Sequence, residues 1–206
     1  MEMKQILRKF KCVEGCSDCC HYREYYPSVE YGKIGVLILP AEKSAIESLA
    51  KKLGIKVKII PRLGVGKSRE FEGPRKIIAY QMMGKNLDGN LCPFLDIDSS
   101  EKSPHGAFKC KIYENRPLAC RAYPVLDECK KTAVLDGKCR FCCKFAASNA
   151  DRSSLYEEVR ALNIIKEETS SEKNCEVWRY ATAIGEEKDK TKFLPEGWIY
   201  QNIYNN

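Results

Sequence analysis

The residues best suited to chemistry are four cysteines within nine positions, Cys12, Cys16, Cys19 and Cys20. Four thiols in so short a segment cannot all pack into a core, because adjacent side chains point in different directions. The spacing lets a short turn aim several sulfurs at one point, which both iron–sulfur clusters and tetrahedral zinc require. Gly15 would relieve this turn, because glycine takes a positive φ without steric cost. We therefore interpret the segment as a set of metal ligands.

More cysteines follow in the middle of the chain, and we predict that they also bind metal. They are Cys92, Cys110, Cys120, Cys129, Cys139, Cys142 and Cys143. The spacing of the last three repeats that of Cys16, Cys19 and Cys20, so this echo predicts ligands for a second metal centre. Cys175 stands apart from both groups and is expected to be a buried hydrophobic residue.

The context of the cysteines favours metal over disulfides. The first ten residues contain no apolar signal region, and no stretch of the chain approaches the apolar length of a membrane span. We therefore expect a cytoplasmic protein that does not act at a membrane, in a reducing compartment where clustered thiols hold metal or do redox chemistry.

The charge pattern argues against nucleic acid as a partner. The formal charge of +7 arises from 35 basic and 28 acidic residues spread along the chain, without a dense basic run interleaved with aromatic residues. Gly66-Lys67-Ser68 resembles the end of a phosphate-binding loop, but Pro61 occupies the position of the required glycine. We expect an ordinary loop there rather than a nucleotide site.

Hydrophobic periodicity predicts the elements that surround the cysteines. We expect strands at 35–39, 55–60 and 77–83, the second ending at Pro61. Helices are expected at 40–53, at 151–171 with Asp151 or Ser153 as N-cap, and at 175–184, with a short amphipathic lead-in at 1–11. The fold class is therefore α+β: a small, irregular, metal-organised domain at 1–150, and a helical C-terminal extension at 151–206 packed on it.

Three motifs together resemble a known family. They are the opening cysteine cluster, Cys92-Pro93-Phe94-Leu95, and the long motif from Cys110 to Pro124, which reads Cys-Lys-Ile-Tyr-Glu-Asn-Arg-Pro-x2-Cys-Arg-x-Tyr-Pro. This combination resembles the YkgJ-type cysteine-cluster proteins, zinc- or iron-chelating domains of the CxxCxxCC type. The resemblance covers residues 12–124 and implies a metal- or cluster-binding module with the seven cysteines of these motifs as ligands. The chain departs from the family label by placing three residues between its first two cysteines, and Cys129 to Cys143 lie outside the match.

The arrangement of the thiols favours an iron–sulfur centre. Seven or more thiols exceed one four-coordinate site, and the regular paired knuckles of structural zinc are missing from the sequence. A C-x3-C-x2-C triplet with dispersed further cysteines is typical of a [4Fe-4S] cluster. Arg116 and Arg121 are expected beside it, where a positive charge would raise its reduction potential. The alternative for Arg116 is that it caps a helix end or pairs with Glu114 or Asp127.

We therefore predict a protein that binds one or two such clusters and passes electrons or delivers a cluster as the accessory subunit of a larger redox enzyme system, with a protein partner. One alternative is a zinc-stabilised interaction module. Another is a cluster-dependent enzyme, since S-adenosylmethionine radical enzymes use the same triplet, although the chain lacks the serial strand–helix repeats of a barrel. The sequence presents no acid–base pair or activated nucleophile, and we predict no catalytic residue. His21, next to Cys20, leaves a mixed cysteine–histidine site open.

Overall fold

The computed structural model describes residues 7–20, 35–66, 74–85, 91–170, 176–180 and 198–201. The chain divides into two compact units. One, here called the cysteine unit, comprises Met1–Tyr22 and Phe94–Ile165, and the other, the sheet unit, comprises Arg23–Pro93 and Lys166–Asn206. The predicted domain boundary between residues 150 and 151 stays a prediction. The α+β fold class is confirmed.

The sheet unit is built on a five-stranded antiparallel sheet. Its strands are β1 (Gly35–Ile38), β2 (Ile59–Gly66), β3 (Lys76–Met83), β9 (Glu176–Tyr180) and β10 (Trp198–Gln201), in the order β1-β3-β2-β9-β10. Strand β9 lies where the sequence predicted a helix at 175–184, and that prediction is wrong. The segment gains backbone hydrogen bonds by pairing with β2 and β10, and tertiary pairing of this kind overrides local helix propensity.

Helix α1 (Pro40–Lys52) confirms the predicted helix of the sheet unit. Pro40 occupies its first turn, where the missing N–H costs nothing, and Glu42 accepts a hydrogen bond from the Leu39 N–H at 2.9 Å. Ile46 and Ala50 are buried on its inner face. Gly54 follows the helix with φ +65°, the left-handed conformation that commonly ends a helix.

Strand β2 corrects the prediction that Pro61 ends a strand at 55–60. The strand begins at Ile59 and continues through Pro61 to Gly66, so residues 64–66 are strand rather than loop. Pairing with β9 begins only at Leu63, so the missing N–H of Pro61 removes no hydrogen bond from the β2–β9 ladder. Pro61 pairs with Tyr80 of β3, and the register with β3 shifts after it, between Pro61 and Leu63.

The cysteine unit combines short strands and helices. A two-stranded sheet pairs β4 (Leu95–Asp96) with β5 (Lys109–Cys110), and a three-stranded sheet has the order β6 (Val125–Glu128), β7 (Thr132–Leu135), β8 (Asn149–Asp151). The helices are α2 (Leu118–Ala122), α3 (Arg140–Phe145) and α4 (Tyr156–Thr169), the last of which extends beyond the unit. A 3-10 turn at Arg152–Leu155 precedes α4, and the predicted cap Asp151 accepts a hydrogen bond from the Ser153 N–H at 2.9 Å.

The core of the cysteine unit joins the small sheet to helices α3 and α4. Its buried members are Val125, Ala133, Leu135, Cys139, Phe141, Cys142, Ala150, Leu155 and Val159. The segment at 8–10 is extended and not helical as predicted: Lys9 forms a parallel bridge with Asp151, and Phe10 packs against Phe141 with ring centroids 5.0 Å apart. No helix in the described part of the chain combines the length and hydrophobicity that a bilayer crossing requires.

Candidate metal centre

The first cysteine segment forms a turn that is hydrogen-bonded to a second loop. Gly15 has φ +72°, as the sequence predicts, and its N–H donates to the carbonyl of His105 at 2.8 Å. Ser17 Oγ accepts a hydrogen bond from the Phe108 N–H at 3.0 Å. A 3-10 turn at Asp18–Cys20 follows and brings the sulfurs of Cys19 and Cys20 within 4.0 Å of each other. The turn is therefore fixed against residues 105–108.

The second cysteine segment supplies Cys110 from β5 and Cys120 from α2. Pro117 precedes α2, and its carbonyl accepts a hydrogen bond from the Cys120 N–H at 2.8 Å, so the first turn of this short helix fixes the cysteine backbone. Both cysteines are half-buried.

The third cysteine segment places Cys139 at the start of helix α3, where it is 8% exposed. The neighbouring Arg140 forms a two-pronged ion pair with Asp18, Nε to Oδ2 at 3.0 Å and Nη2 to Oδ1 at 2.8 Å. Asp18 lies between Cys16 and Cys19 in the chain, so this ion pair ties the first cysteine segment to the third.

These segments enclose a cavity of about 140 Å³, here called the thiol cavity. Five cysteines line it: Cys12, Cys16, Cys19, Cys120 and Cys139. The spacing of Cys12, Cys16 and Cys19 predicted that they lie close together, whereas the position of Cys139 at the cavity depends on the tertiary fold. Cysteines from both C-x2-C-C groups therefore line the same cavity.

The remaining predicted ligands have different positions. Cys20 lies beside Cys19, and Cys110 is close enough to Cys19 and Cys120 for their charges to affect its pKa. Cys142 is buried in the core cluster, while Cys129 and Cys143 are exposed. Cys92 lies in the sheet unit. His21 and Cys175 fall outside the described residues.

Burial raises the pKa values of three cysteines of the cavity. Burial, followed by the neighbouring Cys16 and Cys19, raises the pKa of Cys12 to about 11, and burial raises the pKa of Cys139 to about 12. Burial also raises the pKa of Cys16. Thiols with such pKa values are poor nucleophiles at neutral pH, and a bound metal would have to displace their protons.

Charged and aromatic side chains complete the lining. Arg116 is half-buried, with its Cζ 3.7 Å from the ring centroid of Tyr113, and Arg121 is exposed at the rim. Glu158 on α4 also lines the cavity, and burial raises the pKa of its carboxyl while Arg116 lowers it. Sequence reasoning missed Glu158, since a glutamate in an amphipathic helix carries no local signal of a site.

The arrangement of the possible metal ligands is the next feature of the site. Within the described ranges, no three cysteine, histidine, aspartate or glutamate side chains are gathered closely enough to coordinate a single ion. Five cysteines instead line one cavity. Cysteine thiolates are ligands of both zinc and iron. The donor set therefore suits a zinc- or iron-binding site.

The Asp18–Arg140 ion pair gives a first testable prediction. The substitution Arg140→Gln is expected to speed the loss of bound metal about fivefold, because a half-exposed ion pair contributes at most about 1 kcal/mol. The measurement is the rate of metal release to a coloured chelator. The matched control is Arg152→Gln, which breaks the ion pair with Glu128 but contacts no cysteine of the cavity. Equal rates for the two variants would contradict a role for Arg140 in holding the site together.

Comparisons with known proteins give one match. A family model described as "CxxCxxCC: Putative zinc- or iron-chelating domain" matches residues 11–136, which is more than half of the chain. The matched region includes four of the five cysteines that line the thiol cavity and stops just before Cys139. It also includes Cys129, which the sequence resemblance had left outside the match. Neither the search of curated proteins nor the search of solved structures found a match.

Proposed function

Because this chain belongs to the CxxCxxCC family of zinc- or iron-chelating domains, we propose that its thiol cavity holds an iron–sulfur cluster of the [4Fe-4S] type. The observation that carries the proposal is the convergence of five cysteines from three separate segments on one cavity of about 140 Å³. The family description gives metal chelation, and the assignment of a [4Fe-4S] cluster goes beyond that description.

The form of the cavity supports a cluster over zinc. A structural zinc ion takes four ligands at about 2.3 Å for sulfur, which draws the sulfurs into a tight tetrahedron. The described residues contain no such gathered set. A [4Fe-4S] cluster takes four cysteine thiolates around a larger core, and the lining offers five.

The residues of this chain would supply binding and environment, while a bound cluster would supply one-electron redox chemistry. The cysteines of the cavity would lose their protons on binding. Phe10, Tyr123 and Pro124 would limit the access of water, because they complete the wall between the cysteine segments. Arg116 would favour the reduced, more negative state by its positive charge.

The proposed role is that of an accessory protein that transfers electrons or delivers a cluster to a larger redox system. The raised thiol pKa values argue against a cysteine nucleophile in the cavity. No disulfide joins the cysteines in the described part of the chain, and a reducing compartment such as the cytoplasm, where we place the protein, keeps thiols in this state.

Anaerobic purification followed by iron, sulfide and zinc analysis tests the proposal. We expect brown protein with about four irons and four sulfides per chain and a broad absorption band in the visible range. Colourless protein with one zinc per chain and no sulfide would refute it and leave a zinc-stabilised interaction module. About eight irons would place a second cluster elsewhere in the chain.

The charge of Arg116 gives a second prediction. Arg116→Gln is expected to lower the reduction potential of the bound cluster by on the order of 50 mV, because it removes a half-buried positive charge from the wall of the cavity. Redox titration followed by electron paramagnetic resonance measures the shift. The control, Arg160→Gln, removes an exposed arginine of α4 that does not line the cavity, and its potential should stay within about 10 mV. A shift of similar size in both variants would show only an effect of net charge.

A further inference from the structure

A second and larger cavity lies beside the thiol cavity in the cysteine unit. Its volume is about 440 Å³, which is within the range of small-molecule sites. We call it the lysine cleft. Cys12 and His105 line both cavities, so the two share a wall.

The walls of the cleft come from segments that are fixed to one another. The hydrogen bond from the Gly15 N–H to the His105 carbonyl joins the first cysteine turn to residues 104–106. Phe10 packs on Phe141, and Phe141 packs on Phe145 with centroids 4.9 Å apart, which fixes helix α3 against the N-terminal segment. The cleft therefore belongs to the packed structure of the unit.

Positive charge dominates the polar part of the lining. Lys9, Lys11 and Lys144 contribute three ammonium groups, and Glu14 is the one carboxylate among the described residues that line the cleft. Arg8 adds a further cation next to it, with its guanidinium 5.1 Å from the ring centroid of Phe145. The three lysines and Glu14 together carry a net charge of +2, which a dianion would neutralise.

The solvent-accessible apolar part of the lining consists of Val13, Pro104 and Phe145, and the buried Phe141 packs against Phe145. A small inorganic anion would leave this surface in contact with water, whereas an organic anion would cover it and gain hydrophobic free energy. A concave cleft with apolar walls and a few charged groups favours a small molecule over the flatter face that a protein partner covers.

We propose that the lysine cleft binds a small organic dianion that joins a phosphate to a flat aromatic group, the chemistry of an aryl phosphate or a nucleoside monophosphate. The phosphate would lie among Lys9, Lys11 and Lys144, and the body would lie against the apolar wall. Because Cys12 and His105 border both cavities, such a ligand would sit next to the metal centre. The cleft does not depend on which metal the thiol cavity holds.

Calorimetric titration of the metal-loaded full chain with adenosine monophosphate tests the proposal. We expect saturable binding that weakens as salt is raised, with both fragments, adenosine and inorganic phosphate, binding at least tenfold more weakly. Equal binding of inorganic phosphate would overturn the role of the apolar wall, and equal binding of adenosine would overturn the role of the lysines. Absence of binding would overturn the site, and tighter binding of a polyglutamate peptide would replace it by a protein-docking surface.

Two charge-reversing substitutions test where adenosine monophosphate binds. Lys144→Glu is expected to weaken the binding of adenosine monophosphate about tenfold or more, because an attraction becomes a repulsion. Lys130→Glu makes the same change at an exposed lysine of the same unit outside the cleft, and its effect should stay below about twofold. Equal weakening in both variants would show that net charge alone attracts the nucleotide, and would overturn the assignment to the cleft. Colourless, zinc-loaded protein that still bound the nucleotide would refute the cluster proposal and leave the cleft intact.

Discussion

The double substitution Cys16→Ser and Cys19→Ser is expected to abolish stoichiometric metal binding. The two cysteines belong to one turn and line the same cavity, and their loss leaves three of the five thiols on its wall. Three thiolates cannot complete the four-cysteine shell of a [4Fe-4S] cluster. A double variant is needed because a fifth thiol could replace a single lost ligand. Iron and sulfide content after anaerobic reconstitution measures the effect.

The matched control is Cys129→Ser combined with Cys143→Ser, which also removes two cysteines but takes both from exposed positions. We expect this control to keep its full metal content. Loss of half the iron in the control would support the second centre that the repeated cysteine spacing predicts. Full iron content in the Cys16/Cys19 variant would contradict the assignment of the thiol cavity as the metal site.

The same double variant is expected to be less stable than the metal-loaded protein. A metal ligand set that forms only in the folded state contributes its binding free energy to folding, and structural zinc sites reach about 10–16 kcal/mol in small domains. The cysteine unit is built from short strands and helices that have little stability in isolation. Chelation of the metal from the unchanged chain should therefore produce a similar fall in the unfolding temperature.

The repeated cysteine spacing illustrates which features of the site could be predicted from the sequence and which could not. The same C-x2-C-C spacing places Cys16 and Cys19 on the cavity wall but puts Cys142 in the hydrophobic core, because a free thiol can act as a ligand or as a small hydrophobic side chain. Which role it takes depends on the surrounding helix. The contact between Asp18 and Arg140 spans 122 positions, so no local pattern could predict it.

The fold was predictable where local signals agree. Helix α1 combines a proline in its first turn, apolar residues on one face and Gly54 after its end, and the structure confirms it. Strand β2 was mispredicted because it continues through Pro61, which pairs with Tyr80 of β3. Strand β9 was mispredicted because its pairing partner β2 lies far away in the sequence. In both strands, pairing in the tertiary structure overrode the local sequence signal.

The substitution Phe141→Ala is expected to lower the free energy of unfolding of the metal-loaded protein by about 3–5 kcal/mol. The ring is 2% exposed and packs between those of Phe10 and Phe145, so its removal leaves a cavity that the surrounding rings cannot fill. Phe141 also lies two residues after Cys139 on helix α3. A looser helix should therefore also lower the metal content. Guanidinium unfolding followed by circular dichroism measures the stability.

Two variants keep the result interpretable if Phe141→Ala fails to fold. Phe141→Leu retains most of the volume and should cost no more than about 1.5 kcal/mol, while still reporting on the packing. Phe145→Ala removes a ring of the same type from the same helix, but this ring is 37% exposed and should cost only about 1 kcal/mol. A cost for Phe145→Ala equal to that for Phe141→Ala would contradict the central position of Phe141. A fall in metal content that follows the loss of stability across the three variants would show that the packing of α3 positions Cys139 at the thiol cavity.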